Sequence, residues 1–543
     1  MARPRKTTRN KLDPRTPVII GVGQTMERID DPGYRGLSPI DLAAEAARVA
    51  IGDTGANPDA LASAIDTIAT TRQFENSTPG APAPLGRSTK FPLSVANRLG
   101  VQPKRAVLEV SGGQSPQHLV TEFTREIFAG HCDVVLLAGA EAMSTSRQLA
   151  TAENRPDFSD DPPGVVEDRG FGLKGLVSLE QSAHGLDGAP AQYALLENAR
   201  RAARGESREK YAASMGALFA PFTKVAAANP FSAAPQEWSA EDLITVSDRN
   251  RMIADPYPRF LVARDQVNQG AAILLTSVAT ARRLGIDESR RAFLHAQADL
   301  RERDLLERAD LGSSPAAVAA VQHALQVAGL SLDGIDFFDF YSCFPIAVAN
   351  ITDALGLSPD DPRGLTLTGG LPYFGGAGNN YSMHAIAEAV DRVRAQPGAY
   401  ALVGANGGVL SKYSVGIYSA TPSELRPDRS ADLQRQIAQQ EAPARAAHPE
   451  GWATIETYTV KHGRNGKTGI VIGRLEADGR RFLAKTAQSD DQMVKLLESA
   501  DEPIGQRVFV KAFGHGNRVT ESKDRGDELF PESAMVCSLR PLR

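Results

Sequence analysis

The sequence predicts an α/β protein with a duplicated core and a small β-barrel appended to it. Three observations carry that prediction. Strand and helix signals alternate through roughly the first 420 residues. Blocks within that stretch recur at an offset of about 270 residues. Beyond about residue 423 the composition turns first to a polar connector and then to short β segments joined by Asn-Gly and Asp-Gly turns. At 543 residues the chain is too long for one ordinary core and needs about two to four domains.

Taken in order, the basic start ARPRKTTRNK is followed by Asp13 and Pro14 instead of an apolar run, and reads as a flexible arm over 1–16. PVIIGVGQT is an apolar strand ending in a Gly-rich turn, DLAAEAARVAIGDTG is a helix closed by glycine, and DVVLLAGAEAM is a buried strand. The repeat then shows itself in three pairs. DLAAEAARVAIGDTGANPDALASAIDTIATT matches AAVQHALQVAGLSLDGIDFFDFYS, with Asp66 and Asp336 in equivalent places. SGGQSPQHLVTEFTREIFAG matches TGGLPYFGGAGNNYSMHAIAEAVDRVRAQPG, and CDVVLLAGAEAMS matches AYALVGANGGVLS. One offset for all three means one duplication, so 17–145 with 246–290 form a first half and 291–422 a second. The Pro, Gly and charge-rich stretch 146–245, with embedded helices such as AQYALLENARRAARG, reads as an insertion, the kind of segment that covers a ligand site. Residues 423–450 read as a linker. WATIETYTVKH, GIVIGRLE, RRFLAKT, the helical SDDQMVKLLESA and the strand RVFVKAF then fit an OB-like barrel over 451–543.

Composition excludes several function classes. Apolar residues make up 42% and charged residues 23%, as in globular proteins. No run of about 18 apolar residues offers a membrane span. A net charge of −5 argues against a general nucleic-acid binder. Lys461, Arg464, Lys467, Arg474, Arg480, Arg481 and Lys485 in the barrel stretch read as a solvated hairpin surface, with a phosphate or nucleic-acid face as the alternative. The three cysteines, Cys132, Cys343 and Cys537, lack CxxC spacing; they fit a reduced, cytoplasmic compartment and offer neither a zinc site nor a disulfide framework. No metal or resident cofactor is expected.

The stretch EVSGGQSPQHLV, Glu109 to Val120, lies between the short strand AVLEV and a helix start. Ser115 before Pro116 has the form of an N-cap with proline at the first helical position, and Val120, Phe123 and Ile127 mark an apolar face. Gly112, Gly113 and Gln114 therefore form a strand-to-helix elbow aimed at a helix N-terminus, whose free N–H groups suit a thiolate, an oxyanion or a phosphate. The elbow holds no thiol, and Ser115 without a base beside it is no nucleophile.

With these motifs in this order the chain resembles the thiolase superfamily, most closely its sterol carrier protein branch and the type-1 thiolase-like proteins that carry an extra C-terminal domain. The resemblance covers roughly residues 17 to 422 and implies a five-layered αβαβα core, an acyl-CoA or CoA ligand, and acetyl-CoA acetyltransferase-like ancestry in lipid metabolism. In the family the elbow reads C-x-S-G and supplies the acyl-carrying cysteine; Gly113 stands at that place here, with Ser115 at the motif serine. YSCFPIAVANITDALGL resembles the HDCF block, with Tyr341 for His, Ser342 for Asp, and Cys343 and Phe344 kept. GGLPYFGGAGNNYSMH resembles the block of the GHP histidine, which falls on Gly376, and VGANGGVLS resembles the C-x-G block, whose cysteine falls on Ala405. Condensation needs a nucleophile, a base and an oxyanion stabiliser, and the side chains of glycine and alanine supply none. The resemblance thus implies a pocket lined by Gly112, Gly113, Ser115, Gly376, Asn379, Asn380 and Ala405 that binds acyl-CoA thioesters without ordinary thiolase turnover.

Three side chains remain as catalytic candidates. Tyr341 reads as an acid or donor to a thioester oxygen, or as packing; thiolase-like aldolases of steroid side-chain breakdown resemble this pattern. Cys343 reads as a buried structural thiol. His384, off the apolar stripe Met383, Ile386, Val390 and Val393, reads as a surface or capping histidine, or as a base facing the pocket. Asn379 and Asn380 either bind a carbonyl or make the turn after GGAG. A C–C lyase or acyltransferase using Tyr341 and His384 is the second functional reading, favoured if the two face one void. A scaffold recruiting partners through the barrel is the third. Thiolases pair through the strand before the elbow, which implies a homodimer; Glu109 in that strand makes a monomer the other reading.

Overall fold

The computed structural model describes residues 12–174 and 176–530; the start of the arm, Cys537 and the end of the barrel stretch lie outside them. Strands are numbered along the chain. The first half is built on a sheet in the order β1 (Pro17–Met26), β8 (Asn268–Ser277), β4 (Val134–Ala142), β2 (Ile65–Thr70), β3 (Arg105–Leu108), β5 (Glu167–Asp168). β4, β2 and β3 run parallel, and β8 lies antiparallel between β4 and β1. The second half repeats the arrangement as β9 (Phe293–Arg301), β12 (Lys412–Ser419), β11 (Ala401–Gly407), β10 (Phe337–Phe340), with the same strand directions. The paired aspartates do equivalent work. Asp66 accepts the Asp133 N–H at 3.0 Å and Asp336 accepts the Tyr400 N–H at 2.8 Å, each fastening the chain just before a central strand.

One element of the repeat differs. Where the first half has β3, the second has the loop Thr366–Thr368, whose N–H groups of Leu367 and Thr368 donate to the buried Asp339 carboxylate at 2.8 and 3.0 Å. Burial pushes this carboxyl up, against those bonds. A side chain has replaced a strand neighbour as the acceptor for backbone donors.

Between the sheets lie the helices Ser115–Ala129 and Tyr381–Ala395, whose Val120, Phe123, Ile127, Ile386 and Val390 pack between Val135 and Ile273 on one side and Val403 and Tyr418 on the other. Helices Pro39–Asp53 and Phe91–Leu99 cover the outer face of the first sheet, and Pro315–Ala328 that of the second. These are the five layers. The first helix ends at Thr54, with Gly55 one residue later in the left-handed region.

The barrel closes in the order β13 (Glu450–Gly463), β14 (Gly466–Leu475), β15 (Arg481–Lys485), β17 (Gly516–Thr520), β16 (Arg507–Phe513) and back to β13, with the helix Asp491–Glu498 between the third and fourth strands along the chain. That is the OB arrangement. It contains a fifth strand, GNRVT, that the sequence reading lacked, and the connector contains a helix, Ser430–Ala438. The short strands β6 (Met252–Ala254) and β7 (Tyr257–Pro258) continue the barrel sheet beyond β13, so the chain rejoins the first sheet only at β8.

The barrel is fused to the rest. Ile470, Ile472 and Leu483 belong to the same core as the insertion helices and the second half. Thr457 donates to the Leu195 carbonyl, and Arg481, fully buried, donates to the carbonyls of Leu306 and Arg308 and pairs with Glu456. Lys461 pairs with Asp187, Lys467 with Glu498, Arg474 with Glu456 and Arg480 with Asp478, while Lys485 donates to the Ala183 carbonyl. The basic residues of this domain are thus largely answered within the chain. No helix among the described residues is long and apolar enough to cross a membrane.

Candidate active site at the glycine elbow

The helix at the elbow starts one residue earlier than a Ser115 cap requires. Gln114 holds the cap position without a side-chain cap bond, Ser115 is the first helical residue, and its hydroxyl donates to the Val110 carbonyl at 2.8 Å. Gly112, at φ +143°, permits the turn that folds the strand end back over the helix start. The serine ties the elbow to its own strand instead of capping the helix.

Gly113 faces the second half. A β-carbon there would overlap the Tyr341 hydroxyl oxygen and stand 2.5 Å from both Tyr341 Cζ and the Asn406 carbonyl oxygen. The space in which a cysteine would carry its sulfur is taken by another residue's phenol and by main chain. Tyr341 is buried, and burial, then the neighbouring Cys343, pushes its phenol well above the usual range. Ser382 closes the other side by donating to the Gly113 carbonyl at 2.6 Å.

The other anticipated site residues are engaged in structure. Asn379 accepts the Gly112 N–H at 2.8 Å and donates to the Arg72 carbonyl at 2.7 Å and Ser77 Oγ at 2.9 Å. Asn380 donates to the Gly139 carbonyl at 2.7 Å. Both amides staple the second half's loop to main chain of the first. Gly376 donates to the Arg264 carbonyl at 2.8 Å, and a β-carbon on it would meet that oxygen at 3.1 Å. Ala405 is buried within β11, opposite Ser414. Cys343 is buried and its thiol is pushed up to about 12 by burial; Asn406 Nδ2 reaches its sulfur at 3.8 Å.

His384 is not a surface or capping residue. Its helix lies in the middle layer, so the side chain is fully buried, with Nδ1 against Gln24 Oε1 at 2.7 Å and Nε2 without a hydrogen-bond partner among the described residues. Burial pushes it down to about 3. It does not join Tyr341: ring contacts run from Tyr341 to Tyr381 (5.3 Å), from Tyr381 to Phe374 (6.1 Å) and from Phe374 to His384 (5.2 Å), so two aromatic rings stand between the candidates.

Several residues of this centre carried no sequence signal. Tyr193, from the insertion helix Ala189–Ala203, receives Asn406 Nδ2 at 2.7 Å and donates to the Gly408 carbonyl at 2.7 Å, plugging the insertion into the loop after β11. Lys412 donates to the carbonyls of Ser111 at 3.0 Å and Gly172 at 2.7 Å, and burial pushes its amine down to about 8. A lysine opening the strand KYSVGIYS, whose other residues carry no charge, was the available hint. Glu109, His118 and Glu122 gather closely enough for a cation, and the Arg169 guanidinium supplies one, at 2.5 Å from Glu109 and 2.6 Å from Glu122. The same segment covers the outer edge of β3, because Val107 and Leu108 pair with Glu167 and Asp168 of β5.

A wall of backbone bounds the centre. Ala263 donates to the Cys343 carbonyl at 3.0 Å and Arg264 to the Leu371 carbonyl at 3.1 Å, and both also line an open groove of about 430 Å³.

Comparison with known proteins agrees with this geometry. Residues 432–515 match the family model described as the thiolase-like protein type 1 additional C-terminal domain. A monomeric SCP2-thiolase-like protein type 1 from Mycobacterium smegmatis is 51% identical over 94% of this chain and 100% of that one, with a TM-score of 0.81. The Ltp2-ChsH2(DUF35) aldolase (20% identity, 75% of this chain and 98% of that one, TM-score 0.54) and human mitochondrial 3-ketoacyl-CoA thiolase (17%, 76% and 100%, TM-score 0.51) share the fold. No curated protein sequence matches. Duplicated core, OB-type barrel and half-identical relative together place the chain in one family: it belongs to the SCP2-thiolase-like proteins of type 1.

Proposed function

We propose that this protein binds CoA thioesters without cysteine-borne acyl transfer, as a cytoplasmic, monomeric member of a lipid-metabolic enzyme lineage. The observation that carries the reading is the Tyr341 phenol at the place a Gly113 side chain would need. Covalent acyl transfer requires a nucleophile with room for a tetrahedral adduct, and the elbow has neither. The buried His384, held by Gln24 and separated from Tyr341 by two rings, gives no base to replace the lost set. The β5 cover on β3 favours a monomer, since the edge used for pairing in thiolases is occupied by the chain itself.

Calorimetric titration with free CoA and a panel of acyl-CoAs, followed by intact-mass measurement after incubation, tests the reading. It requires saturable binding of at least one acyl-CoA and no acyl adduct on the protein. Absence of binding by every acyl-CoA, or an acyl-enzyme species, would overturn it.

A further inference from the structure

Lys412 opens β12 directly opposite Arg301 of β9 in the antiparallel register. Like charges in that position destabilise a strand pair, and neither cation has a carboxylate ion-pair partner among the described residues. Lys412 is only 5% exposed, and its Nζ meets two main-chain acceptors, the Ser111 carbonyl at 3.0 Å and the Gly172 carbonyl at 2.7 Å. An ammonium has three N–H donors and a neutral amine has two. Two acceptors are what the neutral form needs, so loss of a proton leaves both bonds in place and sets free a lone pair. Burial first, then Arg301, moves the amine down to about 8, against the pull of Glu109. A lysine desolvated beside another cation is prepared for attack on a carbonyl carbon.

The amine has a cavity to act in. A cleft of about 430 Å³, in the range of small-molecule sites, is bounded by Lys412, residues 301–304 and the connector helix Ser430–Ala438. That helix secures the end of β9: Gln434 Oε1 accepts the Arg301 N–H at 2.7 Å, and Gln434 Nε2 donates to the Arg301 carbonyl at 3.0 Å. Arg303 donates through a terminal nitrogen to the Ala438 carbonyl at 2.9 Å, while its buried Nε has no hydrogen-bond partner among the described residues. Glu302 is spent on the main-chain N–H groups of Arg303 and Ala316, at 3.0 and 2.9 Å. Lys174, Asp304 and Glu307 complete the charged lining. Two guanidiniums without ion pairs, one of them with a buried donor to spare, suit a carboxylate on the ligand.

We infer that Lys412 is an imine-forming lysine whose cleft takes a small aldehyde or ketone bearing a carboxylate, with Arg301 and Arg303 holding that carboxylate. The amine lone pair forms the C–N bond as the carbonyl π pair goes to oxygen, and one amine proton passes to that oxygen. The hydroxyl then takes a solvent proton and leaves as water. The product is a protonated imine, whose remaining N–H still has a main-chain carbonyl to meet at Ser111 or Gly172.

The full-length protein is incubated at pH 7 with pyruvate or with acetone, which differ by a carboxylate in place of a methyl, and sodium cyanoborohydride reduces any imine to a stable secondary amine. Peptide mapping then compares every lysine within one sample, so no Lys412 variant has to fold. Lys412 is expected to carry at least about tenfold more pyruvate adduct than any other lysine, because an amine of pKa near 8 is neutral far more often at pH 7 than one near 10.4. Pyruvate should label Lys412 about tenfold faster than acetone does, and Arg303→Gln should remove that preference while acetone labelling stays the same. Adduct at Lys412 no greater than at the other lysines, or equal labelling by pyruvate and acetone, would overturn the site. No CoA is present in the trial, so this site and the thioester reading fail separately.

Discussion

The elbow and the arginine groove lie on opposite sides of the Ala263–Arg264 backbone and are built on opposite principles. At the elbow, space is filled by protein. Tyr341 and Asn406 crowd Gly113, and the amides of Asn379 and Asn380 are spent on main-chain groups. In the groove, Arg249, Arg251, Arg259 and Arg264 gather with no carboxylate ion-pair partner among the described residues, beside a buried Asn250 that donates to the carbonyls of Asp242, Leu243 and Thr245. A fold that has lost its reacting atoms does not thereby lose its cavities; here one centre has closed by packing while a neighbouring one stays open.

That contrast can be broken by substitution, beginning at Gly113. If the elbow is as full as it looks, Gly113→Ala costs about 3 kcal/mol by urea denaturation, because one partner it meets is main chain and cannot rotate away. A neutral result would mean spare room at the elbow. Asn379→Ala should cost about 2 kcal/mol in the same assay, since it leaves the Gly112 N–H and Arg72 carbonyl unpaired in the interior; a change below a few tenths would show that the staple is dispensable.

His384 sharpens the comparison through pH. Its folded value, near 3, lies below the value near 6.5 of a free imidazole, so the unfolded chain takes up the proton first as pH falls. The contribution is therefore present above about pH 6.5 and is lost progressively down towards pH 3. It amounts to about 1.4 kcal/mol lost by pH 5.5, and His384→Gln should flatten that part of the stability–pH curve. An unchanged slope would place the titration elsewhere. The smallest effect belongs to the groove: Arg251→Gln should shift unfolding stability by less than about 0.5 kcal/mol, as expected of an exposed side chain with no ion pair among the described residues. A large loss would mean that this arginine serves the fold.

Much of the architecture is legible in the chain because it rests on local pattern. The duplication shows in Asp66 and Asp336, whose carboxylates then prove to fasten equivalent strands, and the barrel shows in its Asn-Gly and Asp-Gly hairpins. What stayed hidden depends on contacts distant in sequence. Ser115 has the residue type of a cap, but which backbone group its hydroxyl meets is set by the turn at Gly112. His384 looked exposed because its helix has one clear apolar stripe, yet a helix sandwiched between two sheets is covered on every side. The strand Gly516–Thr520 is short and polar, and only its pairing with β16 reveals it. The vacancy at Gly113 could be read from the glycine itself; that Tyr341 fills it could not, since nothing local links the two.

The central claim, that the tyrosine occupies the nucleophile's place, is tested most directly by the coupling between Gly113→Ala and Tyr341→Ala in a double-mutant cycle of unfolding free energies. Direct crowding predicts that removing the phenol recovers about 1 to 2 kcal/mol of the cost of the added methyl, with the Asn406 carbonyl retaining the rest. Additive effects would show that the two residues do not share that space.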